Sequence, residues 1–333
     1  MQSSISRRSF LVGTAALAAV SAVGMSACSS QKVKAGTVRI GTMPTEDILP
    51  MWVAESEKMF DEANVKAEIV VFDSAQNLSA AITAGEVDLA MTDPMRSVKL
   101  FESGTDLTME WITLGTTPAQ GRFGVLTSAQ SGMKSLADLT GASKGVGVAA
   151  NTVPEYVFDK LCEQAGIDSS TIKTSEVASL PERYSLVEAG QLDAAALPGS
   201  MLALGEASGM VVLADDTTGE NISQSVMIAR KAFNTGDGAE TLANVRKVWD
   251  KAASAINASP EKYRALLIEK ANLNEKVANT YPISEYPLSL DANGKNVFPP
   301  ANLIDPQLVW MKQKGYSSKN IAYNEADGSF KIS

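Results

Sequence analysis

The chain has 333 residues, of which 45% are hydrophobic and 20% are charged, enough apolar material for two moderate cores. Its formal net charge is -9, and such an acidic surface excludes a groove for nucleic acid or for anionic lipid headgroups. The sequence contains no histidine, which excludes histidine-based nucleophiles and nearly all catalytic zinc sites, so an enzyme would have to use carboxylates, lysines or a cofactor. We predict no bound metal and no cofactor.

Residues 1–28 have the pattern of an export leader. Residues 6–11 read SRRSFL, which is similar to a twin-arginine signature, and the apolar run at 11–23 is too short to span a membrane. Residues 25–28 resemble a bacterial lipobox, so we expect lipid on Cys28, a polar tether at 29–36 and a location outside the cytoplasm, on the cell membrane. An ordinary membrane anchor or a plain secretory signal remains an alternative.

Elements of the mature chain alternate between strand and helix. We predict strands at 37–41, 67–72, 87–91, 109–115, 121–126, 145–149, 192–197, 210–213 and 223–229. We predict helices at 48–60, 98–103, 238–258 and 260–271, and a last helix with Asp305 as its N-cap and Pro306 at its first position. The proline-punctuated stretch 281–301 predicts extended or looped chain.

An internal repeat organises these elements. Residues 74–104 recur at 179–209, so that Gly85 and Asp88 fall on Gly190 and Asp193 without a gap. Each copy reads as an amphipathic helix, a glycine turn and a short buried strand, which is typical of parallel α/β sheets. Asp88 and Asp193 are therefore predicted to be turn-forming scaffold, and the divergent strand tips are predicted to face a ligand.

The repeat predicts an α/β fold with two lobes. The strand at 223–229 is expected to return to the first lobe, which then comprises residues 37–121 and 225–333, and residues 122–224 form the second lobe. Cys162 has helical spacing and no disulfide partner if Cys28 carries lipid, so we read it as core, as we do Trp52 and Trp111.

Several phrases together resemble a known family. They are the lipobox, VRIG at 38–41, AGEVDLAMTDP at 84–94, SLADLTG at 135–141 and GQLDAAALP at 190–198. Their order resembles the type II periplasmic substrate-binding proteins of ABC importers, in the branch of nitrate, sulfonate, taurine and thiamine-precursor binders. The resemblance implies two lobes, each a mainly parallel sheet flanked by helices, joined by two crossover strands. It also implies a non-enzymatic, monomeric receptor that binds a small solute in the cleft and signals closure to a permease and its ATPase.

That resemblance places ligand contacts on the loops that follow strands. The positions it implies here are Met43, Pro44, Thr45, Glu46, Thr92, Asp93, Asn151, Thr152, Glu155, Pro198 and Ser200, with Gln120, Gln224 and Ser225 near the crossovers. Structural explanations exist for the same residues. Thr45 and Thr152 are possible helix caps, Glu46 and Glu155 suit first helical turns, and Asp93 suits a turn before proline.

The charged residues at the strand tips indicate which class of solute would bind. The tips offer Glu46, Asp47, Asp93 and Glu155, and the nearby cations that the sequence places are Arg96 and Arg122. Carboxylates favour an amine-bearing or pyrimidine-like solute. The alternatives are a nitrate, sulfonate or taurine binder, an enzyme on the same fold of the thiamine-pyrimidine or menaquinone-pathway type, and a solute sensor.

Overall fold

The computed structural model describes residues 35–332. The predicted export leader, the lipidation of Cys28 and most of the predicted tether lie outside these residues. Within the described range, no helix combines the length and the apolar composition needed to cross a membrane.

Strands and helices alternate through most of the chain. The strands are β1 (Thr37–Thr42), β2 (Lys66–Val71), β3 (Leu89–Thr92), β4 (Leu107–Leu114), β5 (Phe123–Thr127), β6 (Val146–Val148), β7 (Thr174–Glu176), β8 (Ala194–Pro198), β9 (Val211–Asp215), β10 (Ser225–Arg230), β11 (Ile321–Asn324) and β12 (Ser329–Ile332). The helices are α1 (Leu49–Ser56), α2 (Met59–Glu62), α3 (Ala75–Ala84), α4 (Pro94–Glu102), α5 (Val153–Gln164), α6 (Leu180–Glu188), α7 (Gly199–Ala207), α8 (Asp237–Ala258), α9 (Arg264–Lys270), α10 (Glu275–Ala278) and α11 (Ala301–Gln313).

Two five-stranded sheets share one topology. The first has the order β2-β1-β3-β10-β4 and the second has the order β7-β6-β8-β5-β9. In each sheet three parallel strands are followed by an antiparallel one, which is β10 in the first sheet and β5 in the second. Strand β5 follows the first group of strands along the chain, and β10 follows the second, so each sheet receives a strand from a chain segment that crosses from the other.

The repeat supplies the same scaffold contacts to both sheets. Asp88 Oδ2 accepts a hydrogen bond from the backbone N of Arg39, and Asp193 Oδ2 accepts one from the backbone N of Gly145. Both bonds join the turn after the repeated helix to the start of the sheet's second strand, β1 or β6. The interpretation of both aspartates as scaffold is confirmed.

Apolar clusters cover both faces of the first sheet. One cluster packs α1 and α8 against it, with Trp52 and Trp111 buried and the rings of Trp111 and Trp249 5.7 Å apart. A second, larger cluster contains residues of α3, α4 and α11 and continues into α5 and the second sheet. Cys162, in α5, belongs to this cluster. The prediction that Trp52, Trp111 and Cys162 are core residues is confirmed.

Two local predictions are wrong, and one hairpin was not predicted. The helix predicted at 48–60 is broken because Lys58 adopts a left-handed conformation with φ of 58°. Helix α11 begins at Ala301, a turn before the predicted start, because Glu325 Oε2 accepts a hydrogen bond from the backbone N of Ala301 and Pro306 is accommodated inside the helix. Glu325 lies in the hairpin of β11 and β12, which the sequence pattern did not predict.

Candidate ligand-binding site

A cavity of about 120 Å³ lies between the two sheets. Its walls come from the loops after β1, β3 and β8, from the first turns of α5 and α7, and from the segment leading into β5. Loops collect there because the carboxyl ends of parallel strands meet at one edge of each sheet. The volume suits a small solute.

Most of the predicted contact residues line this cavity. They are Met43, Thr45, Glu46, Thr92, Asp93, Thr152, Pro198, Ser200 and Ser225. The others do not line it, and they are Pro44, Gln120, Asn151, Glu155 and Gln224.

Gln120, Gln224 and Glu155 have structural partners away from the cavity, whereas the side-chain amide of Asn151 is buried without a partner among the described residues. Gln120 Oε1 accepts a hydrogen bond from the backbone N of Thr116, and Gln224 Oε1 accepts one from Gln307. The carboxylate of Glu155 accepts hydrogen bonds from the Tyr316 hydroxyl and from the backbone N of Asn151. Sequence periodicity could not reveal these partners, because Gln307 and Tyr316 come from a distant helix and its following turn.

The wall on the first sheet is acidic. Burial and the neighbouring Asp47 raise the pKa of Glu46 to about 8. Glu46 Oε1 accepts a hydrogen bond of 2.8 Å from the Tyr281 hydroxyl, whereas Oε2 is buried and has no partner within residues 35–332. Asp47 Oδ1 accepts a 2.8 Å hydrogen bond from Ser225, which ties the loop after β1 to β10. Glu46 therefore offers one uncommitted oxygen at this wall.

Asp93 has a structural role as well as a place on the acidic wall. It is the N-cap of α4, where its Oδ1 accepts a 2.7 Å hydrogen bond from the backbone N of Arg96. Burial raises its pKa to about 6, and the contacts with Arg96 only partly offset this effect. Near neutral pH Asp93 is mostly ionised, so the wall carries negative charge.

The wall on the second sheet contains a cation that sequence analysis missed. Arg183 in α6 is 1% exposed and lines the cavity. Its Nε donates to Val177 O at 2.9 Å and its Nη1 donates to Ala196 O at 2.7 Å. Burial lowers its pKa to about 10, so it stays charged at neutral pH. The repeat offered the signal, since Arg183 holds the place of Leu78 in the first copy.

The two cations that sequence analysis did place also line the cavity, and they differ in their partners. Arg122 donates to Glu206 at 2.8 Å and to Asp215 at 2.7 Å, so its charge is balanced within the protein. Arg96 lines the cavity, and its Nε is buried without a partner among the described residues. No group of three or more histidine, cysteine, aspartate or glutamate side chains within 35–332 is arranged to hold a metal ion.

Several solved structures are similar to this chain in fold. The periplasmic aliphatic sulphonate binding protein SsuA of Escherichia coli is 19% identical, with a TM-score of 0.69 over 86% of this chain and 90% of that one. The alkanesulfonate-binding protein SsuA of Xanthomonas axonopodis pv. citri, bound to MOPS, is 16% identical, with a TM-score of 0.68 over 85% and 94%. The periplasmic nitrate-binding protein NrtA of Synechocystis is 10% identical, with a TM-score of 0.68 over 86% and 83%.

These likenesses define the class of the fold, which is that of periplasmic binding proteins, and the fold predicted from the sequence is confirmed. Residues 45–263 match the model of the NMT1/THI5 like family. The chain belongs to this family, and the resemblance noted in the sequence is confirmed. A search of curated proteins finds no significant match.

Proposed function

We propose that this protein is the extracytoplasmic solute-binding component of an ABC importer. The observation that carries the proposal is the small cavity between two sheets of equal topology, joined by segments that cross from one sheet to the other. Such an arrangement surrounds a small solute, and a change in the angle between the sheets can report its capture to a permease and its ATPase.

The proposed lobes follow the path of the chain. Residues 37–121 and 225–333 form the first lobe, and residues 122–224 form the second. The assignment of sheet strands supports these boundaries, because β10 belongs to the first sheet and β5 to the second. Helix α11 also contacts the second lobe, where Trp310 Nε1 donates a 2.7 Å hydrogen bond to Asp159. Closure therefore has to preserve or remake a contact outside the two crossing segments.

The proposed solute is small and bears an amine or a pyrimidine-like donor group. Glu46 Oε2 supports this, since it is buried without a partner among residues 35–332 and becomes a charged acceptor when Glu46 loses its proton on binding an ammonium group, and Asp93 adds charge beside it. An ammonium group would satisfy both the hydrogen-bonding capacity and the charge of this wall. The second candidate, an anion binder of the nitrate, sulfonate or taurine type, is favoured by Arg183.

The export leader and the lipid on Cys28 remain part of the proposal. An acylated cysteine would hold the receptor beside its permease and raise its local concentration there. We propose a monomer that binds no nucleic acid, with contacts at the membrane made through the lipid.

Catalysis is the alternative from another class. The absence of histidine supports a receptor, because an enzyme would have to use carboxylates or lysines in this cavity. A sensor that passes closure to a signalling partner would have the same cavity, and finding genes for a permease and an ATPase beside this gene would favour transport.

Native mass spectrometry of residues 29–333 tests the proposal. The protein is measured as purified and after incubation with taurine, nitrate, aminopyrimidines, polyamines and riboflavin. We expect one retained or added small mass, and a smaller radius of gyration in X-ray scattering when it is bound. Conversion of the bound compound to a new mass would indicate an enzyme, and an intact protein that binds none of the panel would contradict a receptor for amines or small anions.

A further inference from the structure

The two copies of the repeat differ at a buried helix position. Leu78 in α3 is 2% exposed and Arg183 in α6 is 1% exposed, so the position is interior in both copies. The facing strand residue is a glycine in both. A Cβ on Gly41 would lie 2.6 Å from Leu78 Cδ1, and one on Gly147 would lie 2.8 Å from Arg183 Cγ. The second copy therefore places a guanidinium where leucine fills the same space in the first.

The charge of Arg183 is only partly balanced by the protein, through the carboxylate of Glu176, which lies beyond ion-pair distance. Its two hydrogen-bond acceptors, the carbonyl oxygens of Val177 and Ala196, are neutral, and it forms no ion pair with a carboxylate within residues 35–332. A buried charge without a counter-ion opposes folding, and leucine satisfies the packing of this position in the first copy. The two carbonyl contacts leave Nη2 uncommitted on a side chain that lines the cavity. The missing counter-ion is therefore best supplied by the ligand.

A second difference between the copies also favours a negatively charged ligand group at the wall of the second sheet. Asp93, the N-cap of α4, holds the place of Pro198, the N-cap of α7. The carboxylate of Asp93 accepts a hydrogen bond from the first turn of α4, whereas Pro198 has no side chain that accepts one from α7. Ser200, in the first turn of α7, lines the cavity. Amide groups at a helix N-terminus attract negative charge, so α7 adds donors to the wall that contains Arg183.

We propose that the solute is a small zwitterion, whose carboxylate or sulfonate group binds Arg183 and the first turn of α7 while its ammonium group binds Glu46 and Asp93. This inference rests on the proposed receptor function. The two walls belong to different sheets, so a ligand with both charges would join them and favour the closed arrangement. A ligand with one charge would satisfy one wall and leave the other buried and unbalanced.

Calorimetric titration of the full chain tests the need for both charges. The probes are β-alanine and taurine, compared with propylamine, which lacks the anionic group, and with propionate and ethanesulfonate, which lack the amine. We expect each one-charge analogue to bind roughly a hundredfold more weakly than its zwitterion, because it leaves a buried charge unpaired. Equal binding of propylamine and β-alanine would overturn the inference and leave the amine receptor intact.

Variants of Arg183 assign the anionic site. Arg183→Leu restores the residue of the first copy, and we expect it to abolish the preference for zwitterions while propylamine binds as before. Arg183→Lys keeps the charge and is expected to retain part of the preference. Arg230→Leu is the matched control, since Arg230 is a partly buried arginine that pairs with Asp88 at 2.8 Å and does not line the cavity. It should lower stability and leave the ratio of affinities unchanged.

The outcomes separate this inference from the function on which it rests. Loss of the preference in Arg183→Leu but not in Arg230→Leu supports the anionic site. A preference that survives in Arg183→Leu, or anions that bind as tightly as their zwitterions, would overturn it. Failure of every probe to bind the wild-type chain, with no small mass retained on purification, would overturn both the inference and the receptor. If Arg183→Leu does not fold, the comparison of probes on the wild-type chain still decides the question.

Discussion

The two copies of the repeat differ in polarity while they share a scaffold. Asp88 and Asp193 accept matching hydrogen bonds from the backbone at the start of β1 and β6, and the repeated helix packs against a glycine of that strand in both copies. Their contributions to the cavity differ, since Arg183 lines it while Leu78, at the matching position, does not, and Asp93 of the first copy is replaced by Pro198 in the second. The comparison shows that a duplicated α/β unit can keep its fold while two positions change the charges that it presents to a ligand.

Removal of the scaffold aspartates should have the largest effect on stability. Asp88→Ala leaves Arg230, with 11% of its side chain exposed, without its 2.8 Å partner, so we expect the free energy of unfolding to fall by about 3 kcal/mol. Asp193→Ala removes acceptors from the backbone N of Lys144 and Gly145, and we expect a loss of about 2 kcal/mol. Urea unfolding measures both. Equal losses, or a larger loss for Asp193→Ala, would contradict this ranking.

Alanine at the two strand glycines should separate packing from ligand binding. Gly41→Ala meets Leu78, and Gly147→Ala meets both Leu192 and Arg183, so each is expected to cost about 1 to 3 kcal/mol of stability. Gly147→Ala should also displace Arg183 and weaken binding of a zwitterion, whereas Gly41→Ala should not. Thermal unfolding and titration of the two variants in parallel measure this. Equal affinities would show that the position of Arg183 does not matter to the ligand.

The acidic wall should make binding of an amine depend on pH. The pKa of Glu46 is raised to about 8 in the empty protein, so protons compete with an ammonium ligand below that pH. We expect affinity to rise by up to about tenfold per pH unit from about pH 6 towards pH 8, and then to level. Titration calorimetry in buffers of different ionisation enthalpy measures the proton release.

Glu46→Gln is the control for this dependence. It should flatten the pH profile of affinity above pH 7 and weaken binding of the amine. The empty wild-type protein should lose stability as pH rises from about 4.5 to about 8, because a carboxyl whose pKa is raised on folding opposes folding once it ionises. Glu46→Gln should remove that loss. An unchanged pH profile in the variant would assign the dependence to another group.

Substitution of Asp93 should have the smallest effect on stability. Its two roles, the cap of α4 and the negative charge at the cavity, can be separated by two variants. Asp93→Asn keeps a side chain that can cap α4 but removes the charge, so we expect weaker amine binding with a melting temperature close to that of the wild type. Asp93→Ala removes both the charge and the cap, and we expect its free energy of unfolding to be about 1 kcal/mol lower than that of Asp93→Asn. Equal melting temperatures for the two variants would show that the cap contributes nothing.

The order of elements was predictable from local pattern, and most of the contact residues predicted from it line the cavity. The helix, glycine turn and buried strand repeated at a fixed offset, and strand tips lie at the cavity because of how parallel sheets are built. Arg183 was missed because it lies within a helix, one turn from its start, and not on a strand tip. Comparing the two copies position by position would have found it, since a charge at the place of Leu78 breaks the apolar pattern of that helix.

The sequence by itself determined the two α/β units, their shared scaffold and the family, because helix and strand periods and glycine turns depend on neighbours in the chain. The tertiary structure decided which polar side chains are free to meet a ligand. Glu155 and Gln224 are engaged by Tyr316 and Gln307, while Arg183 faces the cavity and Asp93 caps a helix at its edge. Burial in the folded chain also raised the pKa of Glu46, an effect that the hydrogen bond from the distant Tyr281 only partly offsets. Hydrogen-bond partners and solvent exposure are set by contacts between distant segments, and local pattern does not encode them.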